Sequence, residues 1–377
     1  MADMISNFPD DILLYILSFL PTKQVVVTSI LCKRWNLLWR SVPSFDFHYD
    51  DLFDYDQEFD DDTHFLKLVD SFLLCRDTDQ PIHRFRLNFS PNFYHPTNIV
   101  PWVKAAINGR VQHMDFHLYS LNVLPSVVFS CKTLVVLKLA FLIVENIHLF
   151  QLPSLKILHL NYVNYLHSEV IAIDLSKLFS GSPNLEDLVV KYTYICHESK
   201  FNRLPKLVRA NIDALVPTEI VKNVEVLFID WIFQENRNFC FHNLVQLELN
   251  NLQYTAEWPL EVLEILKHCP KLQTLAVYIY NKDHIYSSDE SHEGEVWPYS
   301  QPVPQCISLY LKTCRLVNYK GTIDEFQFAR SIMQNAKYLR TMKICADIDA
   351  NDEEKLDMIR DLSSCEKTSN SFTLSFE

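Results

Sequence analysis

Apolar residues follow two different periods along this chain. Between residues 8 and 39 they fall at helical spacing. Ile12, Ile16 and Leu20 share one stripe with Leu13 and Leu17 beside it, and Trp35, Leu38 and Trp39 stand at i, i+3 and i+4. The spacing predicts a first helix over 10–19, opened by Pro9 and ended by Pro21. Thr22 is placed as N-cap of a second helix through Ile30, and Pro43 closes a third. About 40 residues rarely bury this much apolar surface unaided. Part of it is expected to be covered by another protein.

Beyond residue 80 the period changes. The frame apolar-x-x-apolar-x-apolar reads Ile82/Phe85/Leu87, Val111/Met114/Phe116, Leu134/Leu137/Leu139, Leu155/Leu158/Leu160 and Leu185/Leu188/Val190. It continues as Leu207/Ala210/Ile212, Val224/Leu227/Ile229, Leu244/Leu247/Leu249 and Leu272/Leu275/Val277, with first positions 17 to 30 residues apart. That frame at that spacing is a leucine-rich-repeat signature. Each copy supplies a short strand with one apolar face, and only parallel stacking buries it. Helical returns are expected around Phe65–Phe72 and Leu260–Leu266. The ninth repeat position, ordinarily Asn or Cys, is Leu142, Val163, Thr193, Leu215, Leu252 and Tyr280, so the turn geometry is left open.

Other segments set the boundaries: 1–44 helical, 45–63 an acidic linker, 64–290 repeats and 291–377 a C-terminal α/β unit. Nine acids between Asp46 and Asp62 define the linker. In the last unit Leu311/Cys314/Leu316 and Leu339/Met342/Ile344 repeat the strand frame. Thr322-Ile323-Asp324-Glu325 reads as a capping box. A further helix is expected from Asp352 to Leu362 and a last strand from Phe372 to Phe376.

Composition narrows the function. The chain has 377 residues, 48% hydrophobic and 21% charged, as in packed globular proteins. With four glycines it holds no glycine-rich phosphate loop. A net charge of −13 without a basic stripe argues against nucleic-acid binding. Ten cysteines stand singly, with no CxxC, and read as reduced core residues. The first apolar run is too short to span a bilayer and lacks a basic flank, so no membrane association is expected. These features place the chain inside the cell, in nucleus or cytoplasm. Cys196-His197 and His268-Cys269 are sequence neighbours without an implied orienting group. No catalytic residue, metal ligand or cofactor is predicted, and the chain is read as not an enzyme.

Two motifs carry a resemblance. Phe8-Pro9-x-x-Ile12-Leu13-x-x-Ile16-Leu17-Ser18-Phe19-Leu20-Pro21, followed by Ser29-x-x-Cys32-Lys33-Arg34-Trp35, resembles an F-box, with Phe8 where that motif usually has Leu. Pro304-x-Cys306, Leu311-Lys312-Thr313, Tyr319-Lys320-Gly321-Thr322-x-x-Glu325 and Asn335-Ala336-x-x-Leu339 resemble the FBD domain. The order F-box, leucine-rich repeats, FBD is similar to a large plant family. The resemblance implies an α/β fold: a three-helix F-box, a solenoid of parallel strands with helical returns, and an FBD α/β cap. It also implies the substrate-recognition subunit of an SCF-type cullin–RING ubiquitin ligase, joined through a Skp-type adaptor. An F-box scaffold without degradative role and a small-molecule receptor stay open as alternatives.

Candidate adaptor-facing residues are Phe8, Pro9, Ile12, Leu13, Ile16, Leu17, Leu20, Cys32, Trp35, Leu38 and Trp39. Trp35 is expected inside, and Phe8, Pro9 and Leu13 outside. For an unknown protein substrate, strand alternation selects the outward position of each repeat. That gives Asp115, Lys138, His159, Asn211, Phe228 and Glu248, with Tyr278 from the next outward column. Phe228 and Tyr278 are the preferred anchors, since exposed aromatics contribute most to binding.

Overall fold

The computed structural model describes residues 5, 8–49, 61–89, 98–119, 122–145, 149–165, 174–193, 204–213, 216–230, 240–253, 258–280, 302–369 and 372–377. The centre of the acidic run (50–60), residues 281–301 around the boundary placed at 290/291, and the Cys196-His197 pair lie outside them. The chain divides into two units, Met1–Lys206 and Leu207–Glu377.

The first unit opens with α1 (Asp10–Leu17), α2 (Thr22–Val27) and α3 (Trp35–Leu38). Then follow β1 (Ser44–His48), α4 (Asp61–Cys75), β2 (Arg84–Phe89), α5 (Val100–Asn108) and β3 (His113–Leu118). It continues with β4 (Val123–Leu124), β5 (Val136–Val144), β6 (Ile157–Tyr165), α6 (Leu175–Gly181) and β7 (Asp187–Lys191). The strands pair in parallel in the order β1-β2-β3-β5-β6-β7, with β4 beside β5.

The N-terminal helices are shorter than the apolar spacing predicts. α1 stops two residues early, and α2 gives way to a 3-10 turn over Thr28–Ile30. Thr22 is the first residue of α2 rather than its cap. Its buried hydroxyl accepts a hydrogen bond from Asp46 N at 2.8 Å. That bond joins the helices to β1, which occupies the first residues of the segment read as linker. Phe45 and Phe47 alternate inward there, as β-strand residues over a core must.

The frame predicts the inward columns. Phe45, Phe85, Met114, Leu137, Leu158 and Leu188 are register partners across the sheet, and all are buried. Burying each such side chain contributes about 1.5–3 kcal/mol. α4 covers the aromatic start of this column, where Phe72 meets Phe45 edge-on at 5.0 Å. Trp102 on α5 donates to Asp70 on α4 at 2.6 Å, which fixes the two returns side by side.

The turn left open by the missing asparagine ladder is made by aromatic residues. Phe141, Tyr162 and Tyr192, each just before the ninth position, take left-handed backbone conformations (φ 56°, 51° and 50°). With Tyr119 they form a continuous stack, with centroids 4.4, 4.8 and 4.4 Å apart and planes within 23°. Stacking offsets the steric cost of the backbone, about 1–2 kcal/mol per residue. Tyr162→Ala is expected to lose two stacks, about 1–3 kcal/mol. Tyr162→Gly, free of Cβ strain, is expected to be the more stable of the two by about 1 kcal/mol. Urea unfolding of both variants checks this, and the reverse order would refute the strain.

The second unit comprises β8 (Arg209–Asp213), β9 (Val226–Asp230), β10 (Gln246–Gln253), α7 (Trp258–Lys267), β11 (Thr274–Tyr280) and α8 (Gln305–Leu309). After them come β12 (Thr313–Tyr319), α9 (Ile323–Asn335), β13 (Thr341–Ala346), α10 (Asp352–Ser364) and β14 (Thr373–Phe376). Its strands are parallel in chain order. Ala210, Leu227, Leu247, Leu275, Cys314 and Met342 fill one buried column.

The capping box of α9 forms as its sequence predicts, and a second one, Asn351 with Glu354, starts α10. Glu325 is fully buried. One carboxylate oxygen accepts from Lys320 N at 2.8 Å and Thr322 N at 3.3 Å, while the other has no hydrogen-bond partner. Burial pushes its pKa above the ordinary glutamate value of 4.5. The backbone donors at Lys320, Thr322 and Gly321 and the Lys320 charge offset this only in part. A raised folded pKa means stability is greatest below the unfolded value and falls as pH rises through the folded one. Glu325→Gln keeps the box without the charge. Its stability relative to the parent chain is therefore expected to improve between about pH 4 and about pH 7. Parallel urea midpoints at both pH values decide it; a constant difference would refute the argument.

Candidate functional site

Two surfaces hold the candidate residues. In the first, the helices surround a small core of Leu13, Leu17, Val25, Trp35, Leu38 and Val42, with Leu14, Leu20 and Trp39 packed against it. Leu13, expected outside, has no exposed surface, because α1 turns that side of its stripe onto α3. Leu17, Leu38 and, as expected, Trp35 are internal too. Phe8, Pro9, Ile12, Ile16 and Cys32 face outward.

Sequence reasoning missed the largest part of this face. Tyr15 is 65% exposed, Phe19 68% and Ile30 80%, and Val27, Leu31 and Leu37 are also exposed. Ile12, Tyr15 and Ile16 stand at i, i+3 and i+4 on one side of α1, and Phe19 keeps the same spacing in the turn that follows it. The Phe19 ring meets Tyr15 edge-on at 4.9 Å. A signal existed: α1 is apolar all round, which three short helices cannot bury on every side. Arg34 locks the entry to α1, donating to Asp10 at 2.9 Å and to Phe8 O at 2.6 Å.

Next to this face is a groove of about 460 Å³, lined among others by Leu14, Tyr15, Phe19, Pro81, Arg84 and His113. Burial, with the nearby Arg84 and His83 charges, lowers the pKa of His113, so the imidazole is neutral at neutral pH.

The second surface is the outward face of the strands. In the first unit Asp115, Lys138 and His159 are register partners in one row, as predicted. The row extends back through Arg86 to Asp46, which the linker assignment hid. Its charges neutralise one another. Arg86 lies 3.9 Å from Asp46 and 3.5 Å from Asp115, His117 lies 3.4 Å from Asp115, and His159 lies 3.6 Å from Asp187. Burial raises the Asp115 pKa, but the His117 hydrogen bond and the His117, Arg86 and Lys138 charges outweigh it and hold it below the usual carboxylate value.

In the second unit Asn211, Phe228 and Glu248 form the corresponding row, which continues through Ala276 to Arg315 and Lys343. Tyr278 lies in the next row, with the Arg315 guanidinium 5.9 Å from its ring centroid. Phe228 and Tyr278 are only partly exposed. The frames at Leu311 and Leu339 already pointed to Arg315 and Lys343.

Among the described residues the buried cysteines are held as thiols. Cys269 donates to Ile265 O at 3.3 Å rather than to His268. Burial raises its thiol pKa, and raises those of Cys306 and Cys314 to about 11 and about 12. These thiols are protonated at neutral pH and poor nucleophiles. The expectation of no metal ligand rests on the histidines holding no HxxxH, and that is wrong: His113 and His117 stand four apart on β3 with Asp115 between them. Among the described residues no group of three or more His, Cys, Asp or Glu is placed to hold a metal ion. Among them, too, no helix is long and apolar enough to cross a membrane.

Comparison with known proteins follows the same division. Residues 5–47 match the F-box domain and residues 300–344 match FBD. An F-box/LRR-repeat protein of Arabidopsis thaliana is 40% identical over 195 residues, a stretch covering 50% of this chain and 49% of the relative. An FBD-associated F-box protein of the same plant is 29% identical, covering 99% of this chain and 100% of the relative. An F-box/FBD/LRR-repeat protein, also from Arabidopsis thaliana, is 27% identical over 100% of this chain and 99% of its own length.

Proposed function

We propose that this chain, an F-box and an FBD domain flanking parallel strand repeats in the manner of plant F-box/FBD/LRR-repeat proteins, is the substrate receptor of an SCF-type ubiquitin ligase. The F-box would hold a Skp-type adaptor and, through it, a cullin–RING ligase. The strand faces would hold a target protein. The receptor would make and break no bonds. It would raise the effective concentration of a target lysine near the ubiquitin thioester.

One observation carries this reading: the uncovered apolar side of the F-box helices, centred on Ile12, Tyr15, Ile16 and Phe19. A patch of that kind on so small a helical unit marks a protein interface. The self-neutralised row of the first unit's strand face favours recognition by shape and pairing over bulk charge. Affinity capture on the full chain tests the proposal. A Skp-type adaptor and a cullin should be retained, and a target should accumulate when the proteasome is blocked. A chain that captures neither adaptor nor cullin would refute it.

A further inference from the structure

We infer that the FBD end of the second unit contains a site for a phosphoryl group carried on a peptide segment of the target, an inference that rests on the receptor reading above. The site is a pocket of about 420 Å³ where β11, β12 and β13 begin. Gln273, Lys312 and Arg340 each precede one of these strands. Backbone bonds hold them in a row: Lys312 N donates to Gln273 O, and Arg340 N to Lys312 O, both at 2.8 Å. Lys312 Nζ is held toward Gln273 Oε1 at 2.8 Å. Lys337 adds a third cation, 5.7 Å above the Tyr338 ring.

Among the described residues no carboxylate lines the pocket. Among the described residues Lys312, Lys337 and Arg340 form no ion pair, in a chain whose net charge is −13. The hydroxyls of Thr368 and Ser369 spend their protons on the carbonyls of Gln334 and Leu339, so the cationic side chains are the donors the pocket offers a ligand. Such a donor-rich site suits an acceptor-only anion. Three cations exceed what one carboxylate balances, whereas a phosphoryl group carries about −1.5 to −2 and three acceptor oxygens. Leu309, Tyr310 and Tyr338, each roughly half exposed, add apolar ground around the pocket. Free phosphate has no use for that ground, but the residues flanking a modified side chain do.

The test exposes the immobilised full chain to two degenerate peptide libraries that differ only in a central phosphoserine or serine. The phosphorylated library should be retained about tenfold better, with inorganic phosphate competing only at about millimolar concentration or above. Lys337→Glu with Arg340→Glu, both on exposed side chains, should abolish the preference. Retention should weaken with added salt, since exposed cations are screened. Equal retention of both libraries overturns the inference. So does a preference that survives the double substitution, or competition by free phosphate without any peptide preference. Adaptor capture on the same preparations reads the receptor proposal separately, because neither substituted residue belongs to the F-box.

Discussion

Ile16→Asp combined with Phe19→Asp is expected to cut Skp-type adaptor retention by more than about a hundredfold while leaving the chain folded. Ile16 is 41% exposed and Phe19 68%, so neither side chain fills the internal core. Truncating one buried anchor of an interface costs about 2 kcal/mol or more. Burying an unpaired carboxylate against apolar groups adds to that loss. In the free chain both positions are open to water, so unfolding should shift by only about 1–2 kcal/mol, the lost Tyr15–Phe19 ring contact included. Leu13 lies three residues from Ile16 and is the control. It has no exposed surface, so Leu13→Ala should cost about 2–5 kcal/mol of stability and lose binding only by loosening the helices. Adaptor capture and thermal unfolding measured together separate the two effects. A folded double variant that still captures adaptor at the parent level would remove the apolar face from the account.

Phe328→Ala is expected to destabilise the second unit by about 3–5 kcal/mol. Phe328 on α9 is fully buried, and its ring lies 5.2 Å from that of Trp258, the largest buried side chain on α7. The pair joins a helix of the FBD match to the return helix of the repeat before it. Removing one ring leaves a cavity that Trp258 is too large to close. Phe328→Leu, closer in volume, should lose under about 1.5 kcal/mol. Urea unfolding with hydrogen exchange on second-unit amides reads both variants. A loss below about 1 kcal/mol for the alanine variant would mean that the two helices repack.

The candidate surfaces differ in how far they could be read from the chain. The outward strand row followed directly from the frame: Asp115, Lys138 and His159 are partners because Met114, Leu137 and Leu158 beside them are. The F-box face did not. Helical spacing placed Leu13 and Ile16 on neighbouring positions of one apolar stripe, and nothing local says which neighbour is covered. The pocket of Lys312, Lys337 and Arg340 was hidden for another reason. Its cations come from two strand starts and a turn, and only strand pairing brings them together.

By itself, the sequence determined the parallel strand units, their inward columns and the capping box at Thr322, because alternation, apolar burial and capping act over a few residues. Tertiary structure decided the rest. It drew Phe45 and Phe47 out of a supposed linker into the sheet, buried Leu13 while leaving Phe19 bare, and stacked Phe141, Tyr162 and Tyr192 on left-handed turns. Each outcome depends on a partner remote in sequence. Which apolar side chain is covered, and which strained backbone is compensated, is a property of the contact rather than of the segment.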